Sequence, residues 1–425
     1  MLSAVMRSLF GSALLGAAAA ACSDDPASPT TTSTLVVTPE RLVLGSGMSR
    51  QLTATVVDQS GAPVPNPSVS FGSTDPSRAS VSAGGLVSYV SAGPAEIRAS
   101  SDGVLAAIPY SGLLSGHPMA TTTRSARLPG DRRGNRPFGV AVDGEGRIFI
   151  SQSDSGRVAS AVYPDTGFTT ENLGGTPTSI ALIGGGTALV TPSGPDANDA
   201  SVIELSSGHV VAEVPLDVPA FSAVTAPDSQ TAYLGTNDGR VLVFDRATSG
   251  ITASIDLGVE KSRANHLALN AAGTLLYASS FTTGTISEID LASRSVARLF
   301  VVGGEPQGVA VSLDGSELYV ADEAGLGHIN IYDIVGNHIR ASLASGATSG
   351  LGGPFGLALS PDGSKLYVGV INTEEPGLIQ VIDPAGLRIE RTINSCGQVP
   401  RRIAFGFSGG LAVIVDETGC ANFVE

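Results

Sequence analysis

Between residues 34 and 111, apolar and polar positions alternate in short runs: LVV at 35–37, QLTATVVD at 51–58, SVSF at 68–71, ASVS at 79–82, LVSYV at 86–90 and AEIRAS at 95–100. A period of two with one apolar face predicts half-buried strands, and DQSGAPVPNP and SAGG between the runs predict turns. The spacing argues for a small all-β sandwich. With no tryptophan in the chain, Phe71 and the alternating Val, Leu and Ile are expected to fill its core.

Beyond residue 123 the pattern is a longer phrase that recurs. PQGVAVSLDGSELYVAD at 306–322 returns as PFGLALSPDGSKLYVG at 354–369, and related phrases begin at Pro137, Pro177, Pro219, Ser262 and Pro400. The seven starts lie 40 to 48 residues apart. A period of that size means one supersecondary unit per repeat, and units made of short strands mean propeller blades. Within one unit, VAV at 309–311 reads as a buried strand, Leu313-Asp314-Gly315 as a turn and LYVAD at 318–322 as the returning strand. HINIYDI at 328–334 and IRASL at 339–343 supply the third and fourth. Every strand carries Val, Ile or Leu because both faces of a blade pack on neighbours.

After Pro400 there is room for three strands before Glu425, and RSARLPG at 124–130 resembles RSVARLFVVGG at 294–304, a fourth strand. The segment before the first phrase is therefore expected to complete the last blade and close the ring, removing free edges. The fold class expected is all-β, a sandwich over 34–111 followed, after a linker at 112–123, by a seven-bladed propeller over 124–425.

The first residues change the picture of location. Arg7 is followed by an apolar, Ala-rich run from Leu9 to Ala21, too short for a lasting membrane span, which predicts a secretory signal peptide over 1–21. Ser, Thr, Pro and Asp dominate 22–33, a flexible tether. The formal charge is -15, from 24 Lys and Arg against 39 Asp and Glu, with no basic stripe, so nucleic acid is not expected as a partner.

Three resemblances rest on these residues. Ala19-Ala20-Ala21-Cys22 resembles the lipobox of bacterial lipoproteins, with Ala19 where that family usually has Leu. It implies lipidation of Cys22 and contact with a membrane through the anchor alone, and Ser23 after the cysteine implies export to the outer membrane of a bacterial cell envelope. Lipidation would leave Cys396 and Cys420 to pair in an oxidising compartment, closing a loop of about 24 residues worth roughly 3 kcal/mol. A two-cysteine metal or redox site would want CxxC spacing or nearby histidines. VTPERLVLGSGMSRQLTATVVDQSGAPV and VSFGSTDPSRASVSAGGLVSYVSAGPAEIRAS resemble the bacterial immunoglobulin-like domain of group 2, with Phe71 where that family often has Trp. That implies a spacer or adhesion module. The phrase P-x-G-V-A-V-S-x-D-G-x-x-L-Y-V resembles the YVTN β-propeller repeat over 124–425, and RPFGVAVDGEGRIFI resembles the related NHL repeat.

Function in a propeller is expected where the repeats differ. At the first-strand entrances stand Phe138, Thr178, Phe221, His266, Gln307, Phe355, Arg401 and Arg402; at the second-strand ends stand Asp154, Asn237, Asp238, Asp322, Glu323, Asn372, Asp416 and Glu417. Of these, Phe138, Asn237, His266, Gln307, Asp322, Phe355, Arg401 and Arg402 are the candidate ligand-binding set, a mixed funnel of the usual kind. Each also has the plainer reading of a solvated loop residue or turn cap. His209 and His338 fall at equivalent turns, and PDANDAS at 195–201 has oxygens for calcium but no loop motif. No CxxCH, GxSxG or P-loop is present, and neither catalytic residues, a metal nor a cofactor is expected.

Two functional classes remain. One is a lipid-anchored, non-enzymatic binding or scaffold protein whose head takes a glycan, peptide or protein partner. The other, by fold analogy, is a metal-dependent propeller hydrolase or lyase of the lactonase or streptogramin lyase type, needing carboxylates, Asn or His to converge on the axis.

Overall fold

A computed structural model describes residues 33–39, 42–113, 123–130, 135–194, 199–258, 263–348 and 352–425. The expected signal peptide, Cys22, nearly all of the expected tether and linker, and Asp196 and Asn198 of the acidic loop lie outside them. Among the described residues, apart from one 3-10 turn at Phe407–Gly409, the regular structure is all strand. Among the described residues, no helix is long and apolar enough to cross a membrane.

The N-terminal region forms sheets around one core. Leu42–Leu44, Val104–Gly112, Gly93–Ser101 and Ser70–Ser73 make a four-stranded sheet; Ser49–Gln51, Leu86–Tyr89 and Ala79–Val81 make a three-stranded one, and Thr34–Thr38 pairs with Thr53–Val57. Alternation does what the pattern implies, burying Leu35 and Val37 and exposing Thr34, Val36 and Thr38. The core differs from expectation in its aromatic residue. Val87, Ile97 and Ala99 are fully buried with Ile108 and Tyr110 beside them, whereas Phe71 is only partly buried at the edge.

From residue 123 onward, seven four-stranded antiparallel sheets follow one another. Blade 1 opens with Pro137–Val142, blade 2 with Pro177–Leu182, blade 3 with Ala220–Thr225, blade 4 with Ala264–Leu269, blade 5 with Pro306–Val311, blade 6 with Pro354–Leu359 and blade 7 with Pro400–Gly406. These first strands pack on one another in sequence, and that of blade 7 packs back on that of blade 1, closing a ring. Blade 7 takes its outer strand from upstream: Thr123–Arg127 pairs with Cys420–Val424, Thr123 opposite Val424 and Arg127 opposite Cys420. A disulfide joins Cys420 of that blade to Cys396, in the connection that leads into the blade from blade 6.

Two physical demands account for the recurring phrase. In S-x-D-G-S the aspartate caps its own turn: Asp314 accepts from the Ser312 hydroxyl at 2.6 Å and from Ser316 N–H at 3.0 Å, and Gly315 takes φ +73°. The Ser312 and Ser316 bonds hold the Asp314 carboxyl down at about 2. In P-x-G the glycine admits the next blade. A Cβ on Gly308 would sit 2.6 Å from the Phe355 carbonyl oxygen, and one on Gly139 2.4 Å from that of Thr178.

The N-terminal unit docks on the ring. Val43 and Leu113 share a buried cluster with Phe407, Tyr163, Leu411 and Phe423, and a Cβ on Gly45 would lie 2.8 Å from the Phe407 carbonyl oxygen. A cleft of about 940 Å³ remains between the units, lined by Leu42, Met48 and Arg50 on one side and Glu145, Tyr163 and Asp165 on the other. Residues 144–146 and Phe407 belong to turns between first and second strands. In an antiparallel blade those turns lie opposite the first-strand entrances, so the unit docks on the face away from the funnel.

Candidate functional site

Strand register defines the funnel. Ala220 faces Thr236, Ala264 faces Ser280 and Pro306 faces Asp322, so these residues are equivalent to Pro137, which faces Gln152. The next position in each blade is then Phe138, Thr178, Phe221, Asn265, Gln307, Phe355 and Arg401. His266 is not in this set: it stands one residue further, where blades 1, 5 and 6 have Gly139, Gly308 and Gly356. Its Nδ1 accepts from Val309 N–H at 3.1 Å, so the ring ties blade 4 to blade 5. Arg402 also occupies the glycine position. Asn265, which sequence reasoning missed, is the true neighbour of Gln307; aligning Leu276-Tyr277 with Leu318-Tyr319 places it there.

Three of these side chains close the channel. Phe138 packs edge-on against Phe221 with centroids 5.2 Å apart and against Phe355 at 5.8 Å, and Ile371 and Val399 join them. Each ring is 6% exposed. Guanidinium groups cover what remains: Arg263 lies 4.0 Å over the centroid of Phe221 and Arg401 4.3 Å over that of Phe355. The funnel floor is thus a phenylalanine plug roofed by arginine.

A polar rim surrounds the plug. Arg136 and Arg401 both pair with Glu417, Gln307 donates to Glu323 and Asn265 donates to Gln307. Arg263 Nε donates to Asn265 at 2.6 Å. Burial raises the Glu323 carboxyl above its ordinary range, against the pull of Gln307 and Arg401. Burial, then the like charge of Arg401, lowers Arg263. Beside the rim an open depression of about 600 Å³ is lined by Arg127, Arg136, Asp154, Cys396, Gln398 and Glu417.

Arg402 points inward from blade 7, and its Nη2 donates at 2.7 Å to the Asn265 carbonyl of blade 4, across the ring. Its guanidinium carbon lies 5.8, 6.0 and 5.8 Å from the centroids of Phe138, Phe221 and Phe355. The residue is 8% exposed and Nη1 is buried without a hydrogen-bond partner. Burial, then Arg263, pulls its pKa down to about 9, which leaves it cationic at neutral pH. Taking an unpaired cation out of water costs several kcal/mol. One hydrogen bond returns about 1.5–3 kcal/mol and each desolvated cation–π contact up to about 2 kcal/mol.

The acidic and amide residues at the second-strand ends hold loops. Asp322 accepts from Glu305 N–H at 2.8 Å and Ala324 N–H at 3.1 Å. Asp416, fully buried, accepts from the Ser395 hydroxyl at 2.7 Å and from Val399 and Thr418 N–H. Asn237 donates to the Ser193 carbonyl at 3.2 Å, and Asn372 accepts from Thr348 N–H at 3.0 Å. Each thus serves its own blade junction.

No protein-family model matches the chain, and no curated protein matches it. Among solved structures it is similar to a chain of Kuenenia stuttgartiensis hydrazine synthase, with 17% identity and a TM-score of 0.61 over 72% of this chain and 98% of that one. The fold is a β-propeller. At that identity the likeness extends to the fold and no further.

Proposed function

We propose that this protein is a lipid-anchored component of a bacterial cell envelope, with an immunoglobulin-like stalk of the group 2 type and a non-enzymatic propeller head that binds a partner on its funnel face. The carrying observation is the arginine-roofed phenylalanine plug on the face turned away from the docked N-terminal unit. Thr38 lines the interdomain cleft while Thr34, nearest the anchor in sequence, is at the far end of its strand. A chain tethered at Cys22 would therefore present the funnel outward, and Ser23 after the cysteine favours the outer membrane. Of the three partner classes, a peptide or protein fits best. Sugars stack on open aromatic faces, and here guanidinium groups occupy two of them. Arginine backed by aromatic rings is instead the composition of protein-binding hot spots.

The hydrolase or lyase reading asks Asp322, Asn237, Asp416 and His266 to converge. Each is committed to a separate junction, and the channel mouth between them is filled by side chains. The test is site-specific photo-cross-linking in intact cells, with the reactive residue at Arg401 or Arg136 and, as reference, at Leu313 on the opposite face. A discrete adduct from the funnel positions alone is expected. Equal labelling from Leu313, or none from the funnel, would remove the funnel as the binding face.

A further inference from the structure

We propose that Arg402 holds a small monovalent anion of the chloride class in the central channel, at the phenylalanine plug. The site is distinct from the rim, where Arg136 and Arg401 pair with Glu417, because Arg402 is 8% exposed and reaches across the ring. Its first support is geometric: a guanidinium 8% exposed reaches across the ring, with Nη1 buried and unpartnered.

The second support is the distribution of charge. The cation nearest in effect is another cation, Arg263, whose hydrogen bond goes to the neutral Asn265. The carboxylates of this face are engaged elsewhere, Glu417 with Arg136 and Arg401 and Glu323 with Gln307. Arg402 lies against all three rings and Arg263 against Phe221, and among the described residues no carboxylate pairs with Arg402. A water on Nη1 would supply the missing acceptor and leave the charge uncompensated, whereas an anion supplies both.

Size follows from the surroundings. The phenylalanine rings lie against the guanidinium, and the first strands wall it closely, with Gly139, Gly308 and Gly356 where a Cβ would strike the next blade. A halide fits such a site better than a tetrahedral oxyanion. Arginine at the position that holds Gly139, Gly308 and Gly356 in three other blades is then a way to build an ion into the axis.

The test compares melting of the full chain in chloride and in gluconate at equal ionic strength, followed by circular dichroism because the chain has no tryptophan. Chloride should raise Tm saturably, by about 2 °C or more. Arg402→Met should abolish the rise, and Arg240→Gln, at a surface arginine paired with Asp217 and Asp238, should keep it. A bromide-soaked crystal reads the wild type independently of any variant, with an anomalous peak expected at hydrogen-bond distance from Nη1. Equal melting in both salts, or bromide elsewhere and none at Arg402, would overturn the proposal.

Discussion

Blades 5 and 7 are built on the same hairpin and part company at both of its ends. In blade 5 the phrase PQGVAVSLDGSELYVAD puts Gly308 against the next blade and Asp314 in a self-capped turn. In blade 7 the corresponding PRRIAFGFSGGLAVIVD puts Arg402 at the glycine position and replaces the turn with one in which Phe407 and Ser408 take φ of 52° and 54°. Phe407 is buried against the N-terminal unit, while Arg401 and Arg402 meet the plug at the opposite face. One blade follows the repeat and only builds; the other departs from it twice, once to dock the N-terminal unit and once to charge the channel. Repeated residues carry architecture, and chemistry gathers where the repeat is broken.

The largest effect should come from the way blade 7 is closed. Its outer strand arrives from upstream, whereas that of blade 5, His338–Ala344, is continuous with its blade. Replacing Thr123–Arg127 by glycine and serine would strip the edge of Cys420–Val424 and leave the ring held by packing and the Cys396–Cys420 bridge. Loss of a single cooperative thermal transition, with aggregation, is expected by calorimetry and light scattering. An unchanged melt would mean that the ring closes without the upstream strand.

Next comes an exchange of the two blades' rules. Gly308→Val places a branched side chain where even a Cβ falls 2.6 Å from a backbone oxygen. It should cost about 3 kcal/mol in urea unfolding, because the clash is with backbone that cannot swing aside. A cost below about 1 kcal/mol would show that the first strands spread easily, and that Arg402 needs no special accommodation in blade 7.

The two blades also mark what a reader of the sequence could see. The turn aspartates, the alternation and the 40- to 48-residue period are local signals, so the sheets, the ring and the upstream closing strand were legible. The phenylalanines at 138, 221 and 355 could be placed at the entrances, but not their meeting. Which side a first strand shows the axis depends on a register shift near its start, as between Pro306 and Gly308. In blade 4 the first strand begins at Ala264 rather than at Ser262, which puts Asn265 and not His266 at the entrance. Phe71 was misjudged for a different reason: hydrophobicity marks a residue as core, and only packing shows whether it sits at the centre or the edge. Arg402 did leave a signal, P-R-R where the repeat has P-x-G, yet nothing in the sequence shows that its side chain spans the ring.

The smallest effect sharpens the contrast most. Arg402→Met keeps an unbranched stem in the channel and removes the charge. If the guanidinium in chloride-free buffer is an unpaired buried cation, its removal should leave stability within about 1 kcal/mol of wild type or slightly above it, since apolar replacements of buried charge are commonly neutral or favourable. A loss of about 3 kcal/mol, read by urea unfolding at neutral pH, would instead identify the bond from Arg402 to the Asn265 carbonyl as the brace that joins blade 7 to blade 4. The departure from the repeat would then be architectural after all, and the division between a blade that builds and a blade that acts would survive only at Phe407 and Arg401.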